Sequence, residues 1–152
     1  MKTLQKTIAA LALNVFLAAN VLAAGLADEA KVMVEKAIAH VKTVGAEKAY
    51  ADFSTPGGSF TKGELYVFVI DMNSSVLAHG GTPKMVGKSL AEMRTADGKL
   101  LVKEFIDVVN AKGEGWVDYK WNNPETKKIQ DKSTFIKKIP GANAFAGCGF
   151  YK

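Results

Sequence analysis

The sequence predicts an α+β fold: a long N-terminal helix, and a shorter one after it, beside an antiparallel sheet of five strands. Two observations carry this. An apolar repeat at three- and four-residue steps runs through residues 27–44, the mark of a helix with one buried stripe. Five later segments have strand composition, and most are joined by turns too short for a parallel crossover, so neighbours run antiparallel.

Each element has its own signal. In the first helix, Ala30, Val34, Ala37, Ile38, Val41 and Val44 form the stripe, Asp28 and Glu29 sit in the first turn, and Gly45 stops it. Ala46–Phe53 reads as a second helix with Ala49, Tyr50 and Phe53 on one side, ended by Thr55-Pro56-Gly57-Gly58. Leu65–Ile70 is an unbroken apolar run, the composition of a strand buried on both faces. Asp71–Ser75 turns the chain, and Val76–Ala78 completes a hairpin that opens at His79-Gly80-Gly81. Gly80–Gly98 reads as loop, with a single helical turn at Ser89–Met93 capped by Ser89. Leu100–Val109 is predicted helical, with Leu101, Phe105, Val108 and Val109 on one face, and Lys112–Gly115 is a turn. Trp116–Trp121 alternates, placing Val117, Tyr119 and Trp121 on one face. Asn122–Glu125 turns into a strand over Lys128–Lys138, and Pro140-Gly141 turns into the last strand, Ala144–Tyr151.

The 152 residues fit one domain, preceded by a leader at 1–23. Lys2 and Lys6 precede the apolar runs Ile8–Leu13 and Val15–Ala19, and Val21-Leu22-Ala23 supplies small residues for cleavage before Ala24. That order is a secretory signal; an uncleaved anchor is the other reading, for which the run is short. With no cysteine near the cleavage site, lipid attachment is not expected. The expected product, residues 24–152, is a soluble protein of a bacterial periplasm.

Charge and chemistry narrow the function. The formal charge is +5, but the lysines are interspersed with acids, a pattern that argues against nucleic-acid binding. A single cysteine, Cys148, allows no internal disulfide, so the fold rests on its apolar core; in the last strand it reads as a small buried residue. His40 and His79 with one cysteine give no metal-ligating pattern. No G-x-S-x-G elbow, paired carboxylates or phosphate loop occurs, so neither an enzyme nor a cofactor is expected.

Several residues stand out as binding candidates. His79 lies where a buried hairpin opens into a loop; it is either a donor to a ligand or a strand-end histidine held by a backbone carbonyl. Tyr119 and Trp121 share a face, with Trp116 on the opposite parity; all three suit a pocket wall or a plain core. Tyr66 and Phe68 share one parity of the buried strand and read as core by default; the other reading turns the Tyr66 hydroxyl toward a ligand. Arg94 is the only arginine; its guanidinium is either a two-pronged carboxylate grip or a surface charge.

The stretches LYVFVIDMNSSVLAHGGTPKMVGKSL, DGK, GEGWVDYKWNNP, KSTF and AGCGFYK, in that order, resemble a single Cache domain of the second type, an extracytoplasmic relative of PAS domains. The resemblance covers about Ala27 to Lys152. It implies a long N-terminal helix packed beside a five-stranded antiparallel sheet in PAS order. It also implies a small-molecule site, often for a short carboxylate, between the sheet and the segment after the second strand. Lys132, which opens KSTF, is then either a candidate to place its ammonium in that site or a solvated strand lysine. Phe135 stands where the family usually has tyrosine, which removes one hydroxyl contact. No membrane segment or kinase follows Lys152, so the expected role is a stand-alone periplasmic sensor or binding module that binds a short carboxylate. Its expected partners are a membrane receptor or kinase, and a second copy through the N-terminal helix. The alternative is an accessory protein that docks to a receptor or another periplasmic protein and has no functional pocket.

The leader generates the first prediction. N-terminal sequencing of the exported protein should find Ala24 or a close neighbour first; Met1 retained in a membrane fraction would contradict it.

Overall fold

The fold is described from a computed structural model, with backbone from Lys2 and side chains from Val21 to Lys152. The expected leader lies almost wholly outside the residues whose side chains are described. The first helix, α1, is Lys2–Val44, and α2 is Ala46–Phe53, separated by Gly45 at a φ of 85°. The expected start at Ala27 is corrected: α1 passes through it, because the Ala- and Leu-containing Val21–Leu26 has helix-forming composition. Glu29 is therefore not in a first turn and instead pairs with Lys62 at 2.9 Å.

Five strands form the main sheet: β3 Phe68–Asp71, β4 Val76–His79, β5 Glu114–Asn122, β6 Ile129–Lys138 and β7 Ala144–Tyr151. Their spatial order is β4-β3-β7-β6-β5, antiparallel throughout, so the predicted α+β, PAS-like architecture is the one found. The unbroken strand expected over Leu65–Ile70 is divided at Val67. Val67 O still accepts from Gly80 N–H in line with the β3–β4 register, but Val67 N–H turns away to donate to Phe60 O. The piece before it, β2 Leu65–Tyr66, makes a small hairpin with β1 Thr61–Lys62.

The helical turn expected at Ser89–Met93 does not form. Ser89 instead bridges to Ser75, and Leu90 N–H donates to Ser74 O at 2.8 Å, so the segment lies as a strap along β4. The strap's one short helix is a 3-10 turn at Pro83–Met85. After it comes α3, Leu101–Lys112, closed by Gly113 at a φ of 77°. The turn expected through Gly115 is shorter than read, since β5 already starts at Glu114.

The pleat of the sheet sorts side chains into two cores. Facing α1 and α2 are Val69, Phe135, Ala146, Cys148 and Phe150, packed with Val34, Ala37, Ile38 and Phe53. Facing α3 and the strap are Phe68, Ile70, Val117, Ile136 and Phe145, packed with Leu90, Leu101, Val102 and Phe105. Phe145 is fully buried and meets the Phe105 ring edge-on at 6.1 Å, which fixes α3 over the sheet. Phe145→Ala should therefore lower unfolding stability by about 3–5 kcal/mol, read as a reduced urea midpoint with an unchanged slope.

Candidate functional site

The face of the sheet that meets α3 is not filled completely. A cavity of about 470 Å³ lies between it, α3 and the strap. Strands supply the floor: Phe68 and Ile70 from β3, His79 from β4, Tyr119 and Trp121 from β5, Lys132 from β6, Gly149 and Tyr151 from β7. Met85, Leu90 and Met93 of the strap and Leu101, Val102 and Phe105 of α3 supply the roof. Tyr66, Gly63 and Glu64 come from the small hairpin, and Asn122–Glu125 from the β5–β6 turn.

Lys132 is the charge in this space that stands out. Its residue is 5% exposed, and among the described residues no carboxylate lies within ion-pair distance of it. Its Nζ stands 3.5 Å from the Tyr66 hydroxyl and over the rings of Tyr66 and Tyr151, 5.3 and 4.6 Å from their centroids. Aromatic faces attract a cation but replace only part of its hydration. Burial accordingly lowers the Lys132 pKa to about 8. The lysine lies over β7 because that strand carries glycine there: a Cβ at Gly149 would collide with Thr134 Oγ1 and come within 3.1 Å of Lys132 Cε. Gly147 makes the same kind of room for the Phe68 ring.

Around the ammonium are hydrogen-bonding groups held neutral. Burial pushes the Tyr66 phenol up to about 12, so it keeps its proton. His79 is lowered to about 4, first by desolvation and then by the charge of Lys132. Its Nδ1 accepts Thr82 N–H at 2.8 Å, so in the neutral ring the proton sits on Nε2, which is left as a donor. The imidazole packs against Tyr66 and Phe68, at 5.0 and 6.2 Å between centroids. Tyr119, its pKa also raised by burial, exchanges a hydrogen bond with Thr134 at 2.9 Å. One end of the cavity thus gathers an ammonium, an imidazole N–H and phenolic hydroxyls, a donor set for an anion.

Of the candidates named from sequence, the cavity brings together Tyr66, Phe68, His79, Tyr119, Trp121 and Lys132. Trp116 and Arg94 are elsewhere. Trp116 has the opposite parity in β5, so the pleat points it to the α1 side, where it is 40% exposed and packs on Phe135 and Phe150. Arg94 is exposed in the strap, and its Nη1 donates to Gly98 O at 2.8 Å, closing a local loop. The reading missed Gly149, Thr82, Tyr151 and the α3 contribution. Alternate glycines within an apolar strand, Gly147 and Gly149, were the available signal, since such glycines mark close approach by another group.

The sequence profile of the Cache domain matches residues 28–152. Among curated proteins, Sensor histidine kinase MctS of Rhizobium johnstonii is 29% identical over 86 residues, 57% of this chain and 18% of that protein. Methyl-accepting chemotaxis protein McpP of Pseudomonas putida is 23% identical over 86 residues, 57% of this chain and 16% of its own length. The chain therefore spans less than a fifth of these relatives. Among solved structures, a periplasmic sensor domain of a chemotaxis protein superimposes with a TM-score of 0.61 at 28% identity, covering 84% of this chain and 90% of that one. A Cache chemosensory domain solved for its carboxylic acid recognition gives 0.68 at 19% identity, covering 86% and 95%. A methyl-accepting chemotaxis protein from Vibrio parahaemolyticus gives 0.70 at 18%, covering 86% and 90%. The last two likenesses concern the fold.

The depressed His79 pKa has a consequence for stability. Unfolded, the imidazole takes up a proton near 6.5; folded, only near 4. Stability on its account is present above about pH 6.5 and is lost as pH falls toward about 4. Urea unfolding at several pH values between about 7 and 5 should show this decline, and His79→Gln should flatten it.

Proposed function

Because the chain belongs to the Cache domain family, we propose that it is a ligand-binding sensor module that holds the carboxylate of a small organic acid beside Lys132. Cache domains of this kind are extracytoplasmic sensor domains of chemoreceptors and histidine kinases. Among the described residues no helix is long and apolar enough to cross a membrane. A periplasmic location, a cleaved leader and a receptor or kinase partner complete the proposal.

The observation that carries it is the buried, uncompensated ammonium. An isolated charge in a low-dielectric site costs several kcal/mol, and proteins retain one where it meets an opposite charge from elsewhere. A carboxylate is the fitting counterion. It has lone pairs for the Lys132 ammonium, the Tyr66 hydroxyl and the His79 Nε2–H, and no proton to give the phenols. The carboxylic acid recognition described for a neighbour of the same fold is in keeping with this chemistry. The function is binding rather than catalysis: nothing at this end of the cavity forms a nucleophile–base pair.

A second reading, docking to a partner without a ligand, draws on apolar residues of α1 that face solvent, such as Val32 at 65% exposure. It leaves the buried ammonium without a purpose, so ligand binding is the better account.

The test is Lys132→Met, which keeps the stem and removes the charge. The folded protein holds this proton less tightly than the unfolded chain does, with a pKa of about 8 against 10.5, so the ammonium is a cost to the empty protein at neutral pH. The substitution should raise the melting temperature of the unliganded protein. It should also weaken carboxylate binding by calorimetry at least about tenfold, the worth of one charge-assisted hydrogen bond. For the wild type, affinity should fall as pH rises through about 8, where Lys132 loses its proton. Undiminished binding by the Met variant would refute the assignment.

A further inference from the structure

We infer that the acid taken by this cavity is a hydrophobic monocarboxylate, with an aliphatic or aryl tail of roughly five or more carbons, rather than the short carboxylate that the family resemblance implies. The inference rests on the carboxylate reading above and deepens it.

Size is the first argument. A three-carbon acid has five non-hydrogen atoms, and even allowing each the liquid volume of a water molecule it fills at most roughly 150 Å³. The cavity holds about 470 Å³. Length is the second. Lys132 Cε lies against Gly149, whereas Ile70, another floor residue, pairs with Phe145, four residues back along β7. Four residues of strand span about 13 Å. A short acid seated on the ammonium leaves most of that distance unfilled.

Chemistry along that length is the third argument. The charged and hydrogen-bonding groups gather at the Lys132 end, while Ile70, Leu90, Leu101, Val102 and Phe105 present hydrocarbon beyond it. Met85 and Met93 of the strap, with adaptable thioether side chains, lie on the same roof and can close on tails of different shape. A second carboxylate would find no second lysine or arginine among the lining residues, and the Glu64 and Glu125 carboxylates already line the cavity. One cation, two acids and an apolar trough select one negative charge and one greasy tail.

Calorimetry on the whole chain with acetate, propionate, butyrate, hexanoate, phenylacetate and succinate tests this. Affinity should rise about fourfold per added methylene until the cavity is filled. Hexanoate and phenylacetate should exceed propionate by more than tenfold, and succinate should bind more weakly than butyrate. Met93→Trp, which adds bulk to the roof, should erase the advantage of hexanoate over propionate. If acetate or propionate binds as tightly as hexanoate, or succinate tightest, the tail inference fails and the carboxylate reading stands. If none of the acids binds, the carboxylate reading fails and the inference with it.

Discussion

The ammonium of Lys132 is buried, among the described residues no carboxylate lies close enough to neutralise it, and much of the surrounding structure keeps that arrangement possible. Desolvation of a lysine opposes folding, so something must hold the side chain in place against the pull of water. Here Gly149 leaves a bare stretch of β7 for the stem, and Tyr66 and Tyr151 bring their ring faces to the head. These contacts offset the cost only in part, and the unmet remainder is the driving force available to an anion. A site poised this way is less stable empty than filled, the condition under which a ligand shifts the protein's equilibrium.

The sheet divides the molecule into two sides of different character. Toward α1 the core is closed, with Val34, Ala37, Phe53 and Phe145's neighbour Ala146 packed almost wholly out of solvent. Toward α3 the sheet carries the cavity, and its cover includes a strap that has little regular structure of its own. The strap is held to β4 by backbone bonds: Val76 N–H to Lys88 O, Gly87 N–H to Val76 O and Leu90 N–H to Ser74 O. Those bonds fix its path while Met85 and Met93 keep adaptable side chains over the cavity. A firm platform on one face and an adjustable cover on the other suit a domain whose task is to register occupancy.

The neutrality of His79 follows first from its burial and then from the same charge. An imidazolium beside Lys132 would add like charge in a dry place, so the ring stays neutral well below its ordinary pKa. The Thr82 N–H then settles which nitrogen carries the proton. The histidine is a strand-end group tied to the backbone, and it lines the cavity; its role as a donor to a ligand belongs to the proposal. Its backbone partner is an N–H rather than the carbonyl that a strand-end position implied.

The sequence by itself determined the elements and their faces, because periodicity is a local property of the chain. The α1 stripe, the limits of α2 and β7, and the parity that sets Tyr119 and Trp121 apart from Trp116 are all written in neighbouring residues. The register of strands distant in sequence is not local, and it decided the site. It laid Lys132 against Gly149, set Tyr66 across from it and brought α3 over the same face. Residue type alone left Arg94 open as a carboxylate grip or a surface charge; its carbonyl partner four residues away ties it into its own exposed loop. The break at Val67 was hidden for the same reason: an apolar run announces burial, while Phe60, whose carbonyl draws the Val67 N–H away, comes from outside the run. Which cation is buried, and which merely exposed, is a question of what the rest of the chain leaves in water, and only the assembled structure answers it.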